Sequence, residues 1–337
     1  MEPLAWRWLP LLVWVSCLVP AGAGAAPPDA DARAWLARIQ AAASGGNYQG
    51  VMVFSIGGAI SSSRVVHYAV GEQIYEQLEA LDGRAQRVLR HNDAVHTVWP
   101  QTRLAVMEKR ETLTASSATP QTVEPRALEQ YELKREASGR VAGREAQIFL
   151  LEPRDALRYA QRLWADQVTG LMLRADVLGL GAAGSVRPVI ESTAFSEIVI
   201  GIRPQPDAVL QEIRNLRKLD GYRIVKPQQQ RTTLEAEGWS LARPVPGFAL
   251  AGCVRRGMES VSDSQPVLQA VFSDGLTHVS LFVEPFAAQR HKDELQAQQG
   301  ATGTLMTRRG DYWITAVGDV PMATLKRLAD ALERRRP

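Results

Sequence analysis

Apolar residues recur at two spacings along this chain, and the spacing changes where the fold is expected to change. Over DARAWLARIQAAASGG (residues 31–46), Trp35, Leu36, Ile39 and Ala43 fall on one side of a helical turn, the pattern of an amphipathic helix. Asp31 is placed to cap its start and Gly45-Gly46 to end it. The period then becomes two. YQGVMVFSI, RVVHYAV, QIYEQLEAL, RAQRVLRH, AVHTVW and RLAVMEK follow closely, parted by Gly57-Gly58, Gly71, Asp82-Gly83, Asn92-Asp93 and Pro100. Short alternating runs with turn residues between them predict a meander of antiparallel strands. Strands resume at AQIFLLEP, RYAQRLWA, LMLRADVLG and VIESTAFSEIVI, with a turn at Asp166–Gly170. About ten strands and at least one helix are thus predicted for residues 27–205.

Two stretches interrupt the rhythm. Residues 111–126, ETLTASSATPQTVEPR, are polar and rich in Thr and Ser, and a long loop of this kind is either a mobile functional element or disordered. Residues 206–225 open on a helical pattern, with Val209, Leu210, Ile213 and Leu216 on one face. VKPQQQRTT then reads as a Pro/Gln linker, placed at residues 226–231. A second unit, residues 232–337, follows. Its clearest feature is LQAVFSDGLTHVSLFVEPF, in which Asp274-Gly275 predicts a tight hairpin turn. It ends on a helix predicted from Pro321 to Arg335, with Leu325, Leu328, Ala329 and Leu332 as its apolar stripe. The expectation is a mostly β, α+β chain: a large unclosed antiparallel barrel with helices, then a smaller antiparallel sheet backed by one terminal helix.

Composition changes this picture little. At 337 residues the chain has room for two cores, and at 22% charged with a net charge of +3 it is not a polycation, so nucleic acid gains no support. The first residues matter more. Arg7 precedes LPLLVWVSCLV and then AGAGAA, which predicts a secretory signal over residues 1–25 with the mature chain starting at Ala26. Cys17 leaves with that signal, so Cys253 is the sole mature cysteine and no internal disulfide is expected; a buried small hydrophobe and a reactive thiol are the two readings of it.

Catalytic signatures are missing. The chain has no Gly-x-Ser-x-Gly, phosphate loop, dinucleotide fingerprint or His-Glu-x-x-His. His91 and His96 are five apart in strand-like sequence and point to opposite faces, so neither a metal nor any other cofactor is expected. Arg84, Arg87, Arg90, Arg103 and Arg110 read as a solvated strand face or as phosphate contacts. A half-closed sheet also has a concave face, and Phe54, Val65, Ile74, Leu78, Val88 and Val95 are the candidates to line an apolar cavity there, with ordinary core packing as the competing role.

The order of these pieces resembles the RseB/MucB family. NYQGVMVFSI is similar to the family's first strand, YELKREASGRVAGREAQIF to its central Gly-Arg segment, and RLWADQVTGLMLRADVL to the strand, Asp, turn, strand also found in lipoprotein carriers of the LolA type. VPGFALAGCVRR, VFSDGLTHVSLFVE and ITAVGDVPMATLKRLADAL resemble signatures of the second domain. The resemblance implies a periplasmic negative regulator of the envelope-stress sigma factor, not an enzyme. It implies a lipid-sensing LolA-like domain at 26–225 and a domain at 232–337 that helps hold the periplasmic region of a single-span anti-sigma factor. That hold shields the anti-sigma factor from a site-1 protease, and lipopolysaccharide or another acylated ligand releases it. Arg255, Arg256, Arg308 and Arg309 are the candidate charge partners, with solvated surface roles equally open, and Asp274-Gly275 is expected to set the register of the gripping sheet. A homo-oligomer is compatible with all of this. A lipid or lipoprotein carrier is the alternative, and it has no need of residues 232–337.

Overall fold

The computed structural model describes residues 28–109, 123–181, 186–216, 221–257 and 266–335. The expected signal and most of the 111–126 loop lie outside these residues. A first helix, α1 (Pro28–Gly45), leads into a run of strands: β1 (Tyr48–Ile56), β2 (Ala59–Val70), β3 (Gln73–Ala80), β4 (Arg87–His91), β5 (Ala94–Trp99) and β6 (Leu104–Lys109). After a short 3-10 turn at Pro125–Glu129 come β7 (Tyr131–Val141), β8 (Arg144–Pro153), β9 (Ala160–Asp166), β10 (Met172–Leu178) and β11 (Val189–Ile200). Helix α2 (Pro206–Leu216) and β12 (Arg223–Val225) close the first unit. The second holds β13 (Gln228–Arg231), β14 (Trp239–Leu241), β15 (Ala249–Gly257), β16 (Val267–Ser273), β17 (His278–Pro285), β18 (Leu295–Gln299), β19 (Thr302–Arg309), β20 (Tyr312–Gly318), α3 (Met322–Ala331) and β21 (Leu332–Arg334).

The first unit is one open 12-stranded sheet in the order β12-β6-β5-β4-β3-β2-β1-β11-β10-β9-β8-β7. Gly57 and Gly58 both take positive φ, which the type I′ form of a two-residue hairpin loop needs at both central positions. At the centre, Gly50 lies beside the bulge where β1 meets β11: a Cβ there would stand 2.2 Å from the Glu197 carbonyl oxygen. Only glycine lets the two strands approach so closely. The two helices lie on opposite faces. α1 buries Leu36 and Ile39 among Tyr131, Phe149, Leu151 and Leu163. α2 sets Val209 and Ile213 against Tyr68, Tyr75 and Leu89, with Leu210 and Leu216 packed alongside. The helical stripes read from the sequence are therefore the buried ones.

The second unit is a 7-stranded antiparallel sheet, β13-β15-β16-β17-β20-β19-β18. α3 covers one face, with Leu325, Leu328 and Ala329 fully buried against Ala270, Phe272, Val279, Leu281, Ile314 and Ala316.

Four expectations change. α1 begins at Pro28, so Asp31 lies within the helix rather than at its cap. Residues 131–141 form β7, an edge strand whose charged positions and bulge after Arg135 hide its alternation. The terminal helix stops at Ala331, and Leu332–Arg334 pairs with β14 instead. The expected linker at 226–231 is mostly strand: Gln228–Arg231 pairs with β15 while Arg223–Val225 runs parallel to β6. Only Lys226 and Pro227 stand between the two sheets.

Candidate ligand and partner surfaces

The chain does turn back at Asp274-Gly275, but over residues 274–277 rather than as a two-residue Asp-Gly loop, with positive φ at Gly275 (+95°) and not at Asp274. Ser273 and His278 pair across its base. Its position is the unexpected part, because the tip is not on an outer surface. It is plugged into the first unit. The Asp274 side chain has no exposed surface and forms an ion pair with Arg158, equally buried, at 2.9 Å. One carboxylate oxygen of Asp274 accepts from Tyr131 Oη (3.1 Å) and Arg158 Nε; the other accepts from the backbone N–H groups of Leu276 and Thr277. Arg158 also donates to Asp155, to Gln130 and to the Pro246 carbonyl. A buried pair of charges persists when its remaining donors and acceptors are matched, and here residues of both units match them. Burial, and after it the Asp274 charge, holds the Tyr131 hydroxyl well above its usual range.

The apolar partners are exchanged as well. Leu276, from the hairpin, is buried in the cluster of Leu36, Ile39, Tyr131 and Phe149. Leu157, from the first unit, is buried in the core of the second, and its carbonyl accepts from the Thr324 hydroxyl at 2.7 Å. A side chain on Gly275 would meet the Ala127 nitrogen at 2.9 Å, so close approach as well as positive φ requires glycine. A further contact lies at the β18–β19 turn, where the Ala301 N–H donates to Glu191 at 3.3 Å. Burial, followed by the nearby Asp319 charge, raises the Glu191 carboxyl above its ordinary value.

The six cavity candidates share one face, the face that carries α1. Cross-strand register aligns Val65 with Leu78 and Leu78 with Val88. Val65 is buried, and Phe54 and Leu78 pack against its cluster; Ile74, Val88 and Val95 are half-buried further along. The lining is not uniformly apolar. Tyr48, His67, Glu76 and Arg90 form the adjacent row: Tyr48 stacks on His67, His67 lies 3.6 Å from Glu76, and Arg90 donates to Glu76 at 2.9 Å. This polar row parts Ile74 from the other candidates and continues into Val95 opposite Arg90, and the Tyr48 hydroxyl on it is buried without a hydrogen-bond partner. Sequence reasoning missed it; the one signal was His67 and Glu76 at positions of apolar parity.

The four candidate arginines are not brought together. Arg255 and Arg256 lie on β15, Arg308 and Arg309 on β19, with three strands between them, about 19 Å across the sheet. Arg255 pairs with Glu237, Arg256 with Glu108 of the first unit, and Arg309 with Asp330; Arg308 lies over the Phe286 ring. Arg87 and Arg90 are likewise paired, with Glu79 and Glu76, and Arg110 lies outside the described residues. Cys253 is the buried residue of its two readings; burial pushes its thiol up to about 11. Among the described residues, no group of three or more His, Cys, Asp or Glu is arranged to hold a metal ion.

Comparison with known proteins gives these surfaces a context. The profile of the MucB/RseB N-terminal domain matches residues 31–235, and that of the MucB/RseB C-terminal domain matches residues 233–333. The sigma factor AlgU regulatory protein MucB of Pseudomonas aeruginosa is 29% identical over 311 residues, covering 89% of this chain and 90% of its own length. The sigma-E factor regulatory protein RseB of Haemophilus influenzae is 24% identical over 289 residues, covering 86% of this chain and 87% of its own. Among solved structures, the MucA/MucB complex of P. aeruginosa superposes with a TM-score of 0.67 at 25% identity over 91% of this chain and 100% of that one. MucB in complex with MucA(peri) gives 0.65, also at 25% and over the same shares.

Proposed function

The chain belongs to the MucB/RseB family, and from that premise we propose that it is an exported negative regulator of an envelope-stress sigma factor. It acts by holding the periplasmic region of a membrane-anchored anti-sigma factor and shielding it from site-1 proteolysis. The observation that carries this reading is that both family domains are matched in order over nearly the whole described chain, and the relatives they lead to are described as sigma factor regulators, one of them solved with MucA. The carrier alternative gains less support, because the second domain is locked into the first by a buried ion pair and exchanged leucines, not appended to it.

Release follows from occupation of the α1-side face of the first sheet by an acylated ligand. The row of Val65, Leu78 and Val88 suits an acyl chain, which gains about 0.8 kcal/mol per buried methylene.

The test is a reconstitution. Purified mature protein, checked by intact mass for a start near Ala26, is mixed with the periplasmic region of its cognate anti-sigma factor and a site-1 protease. The protein is expected to bind that region saturably and slow its cleavage, and a lipopolysaccharide fragment is expected to restore cleavage. Absence of binding removes the regulatory reading; binding that no acylated ligand reverses removes the release step.

A further inference from the structure

Strand edges carry unpaired backbone groups, and folded proteins normally blunt them with charge, proline, bulges or brevity. Among the described residues, three of the four edge strands of the two large sheets follow that rule. β7 carries Glu132, Lys134, Arg135, Glu136 and Arg140 and is bulged after Arg135. β12 is three residues long, and β13 is four, follows Pro227 and ends on Arg231. β18 does not follow it. Its sequence is LQAQQ, without charge, proline or bulge, and all five residues are exposed. Gly300-Ala301 forms a two-residue turn with positive φ at Gly300 only, so Gln299 and Thr302 flank it as the hydrogen-bonded pair. By antiparallel alternation, Gln296 and Gln298 turn their N–H and C=O groups to the open side.

The surroundings say what this edge accepts. The β18–β19 turn docks on the end of the first sheet: a Cβ on Gly300 would lie 2.6 Å from Ile56 Cγ2. Around that point two large apolar side chains stand in solvent, Ile60 at 73% and Val189 at 49% exposed, on the strands either side of the docking point. Leu295, at the far end of β18, is 45% exposed and shares a face with Met306. A second copy pairing through β18 alone matches two five-residue strands about 17 Å long and buries a few hundred Å², short of the roughly 1,000 Å² of a stable interface. A longer extended segment gains the edge and then the apolar rim.

We propose that the edge of β18, unpaired among the described residues, is the seat of an extended partner segment, added as an eighth strand, with apolar residues at alternate positions meeting Leu295, Ala297 and Met306 and its continuation crossing Ile60 and Val189. This rests on the regulatory reading above, and the segment is then part of the anti-sigma periplasmic region. Backbone pairing supplies affinity and the alternating side chains supply register.

Two substitutions test it in the full mature chain. Gln296→Pro removes an outward N–H where an edge strand tolerates proline. Ala297→Lys adds the missing charge while leaving every N–H in place. Binding of the anti-sigma periplasmic region, and of overlapping synthetic peptides tiling it, is read by fluorescence anisotropy, with thermal unfolding and sedimentation measured alongside. Both variants are expected to keep the wild-type melting temperature and to bind one and the same peptide at least roughly tenfold more weakly. Unchanged affinity in both, for the whole region and every peptide, overturns the proposal. So does a wild-type dimer that Gln296→Pro dissolves while partner binding stays intact, which assigns the edge to a second copy. Failure of the wild-type protein to bind the region at all is a different result, and it overturns the regulatory reading itself. If Gln296→Pro does not fold, Ala297→Lys alone decides.

Discussion

Replacing Asp274 by Ala should uncouple the two domains, and the size of the effect follows from its contacts. Its carboxylate takes four hydrogen bonds, from Tyr131, Arg158 and the N–H groups of Leu276 and Thr277. Removing one partner of a buried ion pair costs about 3–5 kcal/mol. Arg158 keeps Asp155, Gln130 and the Pro246 carbonyl, which points to the lower end. The orphaned Tyr131 hydroxyl and turn N–H groups raise it again, each by about 1–3 kcal/mol though not additively. A total of about 4 kcal/mol is a large share of the roughly 5–15 kcal/mol that holds a typical domain folded. Asp274→Asn keeps an oxygen for the turn but loses the charge, and should cost about half as much. Arg158→Met with Asp274→Leu removes both charges together and should recover most of the loss, giving a clear coupling energy in a double-mutant cycle. Urea unfolding followed by tryptophan fluorescence and by far-ultraviolet circular dichroism is the assay. The wild type should unfold in one transition and Asp274→Ala in two. A single transition within about 1 kcal/mol of wild type would refute the reasoning, because it would mean the buried pair carries no net coupling.

Other consequences are quicker to state. Glu191, raised by burial and then by Asp319, favours its protonated form in the folded protein, so its contribution is fully present below the ordinary 4.5 and is lost as pH rises through the raised value. Glu191→Gln keeps an oxygen for the Ala301 N–H and should raise the melting temperature at pH 7, with the gain over wild type vanishing toward about pH 4; an equal difference at both pH values would rule this out. Gly50→Ala should cost about 3 kcal/mol, since the new methyl meets backbone of β11 at Glu197 and Ile198; chemical denaturation that finds it neutral would show that the two strands separate easily. In limited proteolysis the Gln228–Gln230 run should survive the first cuts because its backbone pairs with β15, and peptide mapping that finds early cleavage there would restore the flexible linker expected from its composition.

Local chemistry was legible in the sequence, and long-range placement was not. The α2 stripe of Val209, Leu210, Ile213 and Leu216 packs as its spacing requires, and the Gly57-Gly58 and Asp274-Gly275 turns form where their residues demand. The strands that escaped notice lack apolar alternation: β13 is QQQR and β18 is LQAQQ, strands by pairing rather than by propensity. Asp274 looked like an ordinary turn residue because nothing near it in sequence records that Arg158 lies beside it, 116 positions away. A faint signal was present. Leu276 and Thr277 continue the turn with residues that are buried rather than solvated, and Arg158 stands between the apolar Leu157 and Tyr159. The cavity candidates share one face, but periodicity assigns parity only and does not reveal that His67, Glu76 and Arg90 occupy the same side.

The exchange of Leu157 and Leu276 between the two cores also sets a rule for recombination. A chimera that joins the first domain of one relative to the second domain of another at Lys226-Pro227 respects the chain's connectivity and still inherits a mismatched knob in each core. For such a hybrid to fold, residues 155–158 must match the hairpin at 273–277 and the Pro246-Gly247 loop, or change with them. The heritable unit is therefore this set of distant segments, and substitutions within it are tolerated in pairs where single changes are not.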